Sequence, residues 1–164
     1  MNDLVKELLD KRALDELIFR TVRALDARDW RAYGASFVAD VVFDFREHGA
    51  APAEARRLIV GLDKIIALQR SVIEGFDVAQ HHVTNILHVI DGDHASTDCY
   101  LYAEHFLNTD RGDRSVSLGG RYQISSHRYA EGWKVQRWRF HSPWMRGNPM
   151  LYQLAVERTS AREA

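Results

Sequence analysis

The period of the apolar residues changes once along this chain, and that change restricts the fold more than any other feature. In the first third, Leu14, Leu17, Ile18, Thr21, Val22 and Leu25 recur at three- and four-residue steps, which is one face of a helix. Asp3 suits its start as a cap. The run Asp26-Ala27-Arg28-Asp29-Trp30 breaks the pattern, and Asp29 can cap a short second helix carrying Trp30, Tyr33 and Phe37. Val41-Val42-Phe43-Asp44-Phe45 reads as a strand, followed by a polar loop with Gly49 and Pro52. A third helix is expected from about Leu62 to Glu74, with Gly75 as its stop.

From Gln80 the period is two. Strands are expected over roughly 80–90, 95–107, 118–129 and 133–140, with hairpin-turn chemistry at Asp91-Gly92-Asp93 and Ala130-Glu131-Gly132. The tail holds Pro143, Trp144, Gly147 and Pro149, then room for a short terminal helix. Helices first and antiparallel strands afterwards imply an α+β fold, three N-terminal helices packed on a curved antiparallel sheet. The concave space between them is where a ligand would bind.

A chain of 164 residues suits one domain, taken as 1–164. The net charge of -1 argues against nucleic acid or an anionic membrane as partner. No apolar run approaches a membrane span, and Met1-Asn2-Asp3 leads into no secretory pattern. The lone Cys99 fits a reducing compartment and a packed, inert thiol, so a cytoplasmic location is expected. There is no metal-ligand spacing, and Gly119-Gly120 lies inside a strand pattern rather than a phosphate loop, so neither metal nor cofactor is expected.

Strand parity sorts the side chains. Thr97, Cys99, Leu101, Ala103, His105 and Leu107 share an inward face, while Tyr100, Tyr102 and Phe106 share an outer one suited to a second subunit. In the preceding strand the inward set is read as His81, Val83, Asn85, Leu87 and Val89, with His82 and His88 outside. In the third strand Gly120, Tyr122, Ile124 and Ser126 look inward. Trp133 and Val135 have one parity and Trp138 and Phe140 the other, which implies a bulge. Pairing about the turn at 91–93 joins residues whose numbers sum to about 184, so His81 lies near residue 103 and His105 is its diagonal neighbour.

Asp26 lies roughly 80° from the centre of the first helix's apolar stripe, at the edge of the core face. It also falls in the last turn, where the helix dipole opposes negative charge, so a purely structural carboxylate gains nothing there. An acid and two imidazoles at one pocket mouth suit proton transfer. Plainer roles exist for each residue: a pairing of Asp26 with Arg23 or Arg28, and a hydrogen-bonded core position for either histidine.

The segments 24–30, 41–45 and 80–85, with Gly61 and Gly132-Trp133-Lys134-Val135, resemble the SnoaL-like branch of the nuclear-transport-factor-2-like superfamily over about residues 9–147. The resemblance implies a cone-shaped α+β barrel. Within the family the likeness is greatest to scytalone dehydratase and bile-acid 7α-dehydratase. It implies Asp26, His81 and His105 as catalytic residues; Thr21, Phe43, Asn85, Leu101 and Tyr122 are expected to contact the substrate. The chain departs from those dehydratases where they carry tyrosines: Leu25 stands before the acid, Phe43 and Phe45 on the next strand, and Thr21 five residues before the acid. Either the substrate differs from theirs or Tyr122 takes that role from another wall.

The expected function is a cofactor-independent dehydratase or isomerase acting on a hydrophobic hydroxy-ketone, steroid-, polyketide- or aromatic-like. The alternative is a binding or assembly domain of the same fold, like a dioxygenase β subunit. A homo-oligomer, trimer or dimer, is expected in either case.

Overall fold

The computed structural model describes residues 3–49 and 56–163. Its elements run α1 (Asp3–Ala27), α2 (Trp30–Gly34), β1 (Phe37–Glu47), β2 (Leu58–Val60), α3 (Leu62–Ile73), β3 (Val78–Asp91), β4 (His94–Phe106), β5 (Ser115–Tyr129), β6 (Gly132–Gly147) and α4 (Met150–Glu163). Pro52 lies outside the described residues. The strands form one six-stranded sheet in the order β2-β1-β6-β5-β4-β3. All neighbours are antiparallel except β1 and β6, which pair in parallel. The α+β expectation therefore stands, with the parallel pair and the short β2 as additions.

The six residues of the expected α1 stripe are all buried, from Leu14 at 1% exposure to Leu25 at 7%. Asp3 is the first helical residue rather than a cap before it, where its charge favours the dipole. The helix ends by the bond pair of a Schellman turn: Arg28, with φ 59°, donates to the Leu25 carbonyl, and Asp29 donates to the Ala24 carbonyl. Asp29 then caps α2 by accepting from the Ala32 N–H at 2.9 Å. Phe37, expected on that helix, opens β1 instead.

On β4 and β5 the inward faces are as expected: Thr97, Cys99, Leu101, Ala103 and His105 are all buried, as are Tyr122, Ile124 and Ser126. Tyr100, Tyr102, Phe106 and Trp144 are exposed. His81 pairs with Ala103 as the turn arithmetic requires. The bulge expected in β6 is present, since Ser126 pairs with Val135 but Ser125 with Arg137.

β3 corrects the reading of its second half. Its register shifts between Thr84 and Leu87, and Asn85 takes a left-handed φ of 55°. One extra residue inverts the alternation from there on. Leu87 and Val89 consequently face out, 72% and 68% exposed. His88 turns in, holding Thr97 Oγ1 at 2.7 Å through Nδ1 and Asp15 Oδ1 at 2.9 Å through Nε2. This Asp–His–Thr row fastens α1 to the sheet. Thr97 is only 3% exposed, and none of the three side chains lines the cavity on the concave face.

Candidate active site

The concave face encloses a cavity of about 750 Å³, a size suited to a small organic molecule. Its walls come from α1, α2, α3, α4 and all six strands, and are mostly apolar: Val22, Leu25, Phe43, Leu101, Trp138 and Phe140 are among them. His81 and His105 both line it.

Asp26 stands one layer behind. The turn closing α1 directs its carboxylate to β3, where Oδ1 lies 2.6 Å from His81 Nδ1 and Oδ2 accepts the His81 backbone N–H at 2.9 Å. Two anchors on one residue fix both the ring and the strand that carries it. The Asp26 side chain is 20% exposed and that of His81 8%. Arg28 does not pair with the carboxylate. Its guanidinium donates to the Phe76 carbonyl at 2.6 Å and toward the Asp26 backbone carbonyl at 3.4 Å. With Nδ1 on the carboxylate, Nε2 on the opposite side of the ring is the atom left for a molecule in the cavity.

His105 packs edge-on to His81, with ring centroids 5.4 Å apart. It is 2% exposed, enclosed by Phe76 and Tyr152, and its Nδ1 lies 3.2 Å from the Tyr152 hydroxyl. Burial, with a smaller push from His81, lowers its pKa to about 3, and the backbone hydrogen bond to Val116 opposes this only in part. His105 is therefore a neutral imidazole at physiological pH. It can share a hydrogen bond but is not a cationic acid.

Of the other expected lining residues, Thr21, Phe43, Leu101 and Tyr122 border the cavity. The Thr21 hydroxyl is bonded to the Leu17 carbonyl at 2.7 Å. Asn85 does not border it: it is exposed at the β3 bulge, two strand positions beyond Val83 and turned outward.

The cavity has residues that sequence reasoning missed as site residues. Tyr33 of α2 lines it beside Tyr122, and neither phenol is bonded to a described residue. Burial raises both phenols well above their usual range, so both are protonated hydrogen-bond donors. Tyr33 shares the apolar stripe of α2, and that spacing reads as plain core. Tyr152 reaches the cavity from α4, whose docking on α3 leaves no local mark in the sequence. Among the described residues no group of three or more His, Cys, Asp or Glu is arranged to hold a metal ion. No helix among them is long and apolar enough to cross a membrane.

Comparison with known proteins agrees with this fold. No curated protein sequence matches the chain. Many solved structures do. The Kfla4162 protein of Kribbella flavida is similar at 20% identity, with 91% of this chain and 98% of that one covered and a TM-score of 0.78. A candidate scytalone dehydratase from Novosphingobium aromaticivorans is similar at 21% identity, coverage of 90% and 92%, and a TM-score of 0.75. The LinA-type3 hexachlorocyclohexane dehydrochlorinase of Novosphingobium barchaimii is similar at 14% identity, coverage of 88% and 94%, and a TM-score of 0.72. At these identities the likeness establishes the fold alone. The SnoaL-like domain family matches residues 6–139, most of the chain. The chain belongs to the SnoaL-like family, on a fold whose solved members include dehydratase-type and dehydrochlorinase enzymes.

Proposed function

We propose that this protein catalyses an acid–base elimination or isomerisation on an apolar hydroxy-ketone, with His81 as the base and Asp26 as its orienting partner. The observation that carries the reading is the double anchor of His81 by one carboxylate at the edge of an apolar cavity. A carboxylate accepting from Nδ1–H leaves the Nε2 lone pair bare and stabilises the imidazolium that forms when Nε2 takes a proton.

The steps follow from that placement. Nε2 removes the acidic proton on the carbon beside the carbonyl, and the electron pair moves onto the carbonyl oxygen. The Tyr33 and Tyr122 phenols are donors for that oxygen, in the place of the tyrosines this chain lacks elsewhere on the wall. The electron pair then returns and expels the hydroxyl on the next carbon, while Nε2–H delivers its proton to it, releasing water. In an isomerisation the same proton is returned to a different carbon. His105, neutral and tied to Tyr152, packs against His81 and keeps the ring edge in position. Dehydratase and dehydrochlorinase, the names borne by solved proteins of this fold, denote the same kind of loss of H and a leaving group across adjacent carbons.

The test is turnover of a panel of bulky β-hydroxy ketones, followed by the ultraviolet absorbance of the enone. His81→Ala should lower kcat/KM on an accepted substrate by about 10²–10⁴-fold, and Asp26→Asn should lower it less, with both variants folded. Undiminished turnover by His81→Ala would remove the proposal.

A further inference from the structure

Among the described residues, the charged side chains that line the cavity are two arginines, Arg56 and Arg57, at one end of it. Arg56 and Arg57 lead into β2, and His48 follows β1. β2 and β3 are the two edges of the sheet, so this group faces the Asp26–His81 pair across the width of the cavity. No Asp or Glu among the described residues lines it, and Asp26 is screened behind His81.

The three side chains are differently held. Arg56 donates to the Gly49 carbonyl at 2.9 Å, which fixes its guanidinium at the rim. The Arg57 backbone is pinned where its carbonyl accepts the Phe45 N–H at 3.0 Å, yet its guanidinium pairs with no described residue. His48 stacks on Phe140 with ring centroids 4.6 Å apart, and its Nδ1 is buried with no hydrogen-bond partner. A buried ring nitrogen without a partner is uncommon and points to a ligand atom. Burial first, and the Arg56 charge second, lower the His48 pKa to about 4, so the ring is neutral at pH 7 and can donate from Nδ1.

We infer that the substrate is amphiphilic, an apolar body ending in a carboxylate or similar oxyanion that docks on Arg57, Arg56 and His48 at the end remote from the reacting carbon. The assignment of which end reacts rests on the acid–base function proposed above; the anion site itself does not. A guanidinium fork matches a carboxylate in two parallel hydrogen bonds, and the apolar walls exclude the water that would otherwise compete. A docked anion at one end also sets how deep the body penetrates, which fixes the carbon presented to Nε2.

The experiment is equilibrium binding of two fluorescent probes with the same apolar body, pyrene-1-butyrate and pyrene-1-butanol, at low salt. The wild-type protein should bind the acid about tenfold tighter than the alcohol, as expected of one charge-assisted pair at a partly open site. Arg57→Gln should bring the two probes near parity by weakening only the acid, Arg57→Lys should keep most of the preference, and Arg57→Glu should reverse it. His81→Ala should keep the same ratio of acid to alcohol affinity as the wild type, whatever its effect on the apolar body, which separates this result from any failure of the catalytic assignment. Equal affinity of the wild type for both probes, an equal effect of Arg57→Gln on both, or no binding of either probe would overturn the anion site.

Discussion

His105 sits in a shell of aromatic rings with almost no contact with water, and the consequence is thermodynamic as well as chemical. In the unfolded chain its imidazole titrates near 6.5; in the folded protein burial lowers this to about 3. Between those values the unfolded chain binds a proton that the folded protein refuses, so stability is full above about pH 6.5 and falls as the pH drops toward 3. The slope for one such group approaches about 1.4 kcal/mol per pH unit. His48, lowered to about 4, adds a slope of the same sign. Urea unfolding at pH 7 and pH 5 should show a loss for the wild type that is roughly 1–2 kcal/mol smaller in His105→Gln. An identical pH 7-to-5 loss in both proteins would mean that His105 is not sealed. The placement of His105 and His81 was legible in the sequence, because alternation and one turn were enough to count from. Their difference in environment was not, since it depends on Phe76 and Tyr152, which arrive from elements distant in sequence.

Among the elements, α4 closes the cavity, and Gly75 is what lets it dock. Gly75 was expected to stop α3, and it directly follows the helix's C-cap, Glu74, though without a positive φ. The reason for glycine there is contact: an added Cβ would collide with the Ala155 carbonyl of α4. Backbone cannot yield as a flexible side chain can. Gly75→Ala should therefore shift α4 and part Tyr152 from His105, costing about 1–3 kcal/mol as other overpacked sites do. Crystallography or a thermal melt checks this, and an unchanged melting temperature would contradict it. The same contrast explains what pattern reading achieves at this scale. Leu14 to Leu25 and Thr97 to His105 are long periodic runs, and every inward side chain was assigned. Asn85 is one polar residue in an alternating strand, and nothing beside it signals the left-handed turn that reverses Leu87, His88 and Val89. β2 is three residues long, too short to carry a period of its own.

For the whole molecule, the division of labour follows the sheet. One edge carries the anchored imidazole, the other the basic rim, and the apolar cavity between them spans the width that a substrate must cover. The architecture follows from a helical period giving way to a strand period, and membership of the SnoaL-like family agrees with it. The proposed chemistry depends instead on one carboxylate, at the last turn of α1, meeting one ring nitrogen on β3. Nitrogen-15 NMR of protein labelled at histidine reads that contact directly, because the two ring nitrogens resonate apart when only one carries the proton. The account predicts that His81 holds its proton on Nδ1, with Nε2 unprotonated, and that Asp26→Ala abolishes this preference. A His81 ring protonated on Nε2 in the wild type, or one indifferent to the loss of Asp26, would contradict it.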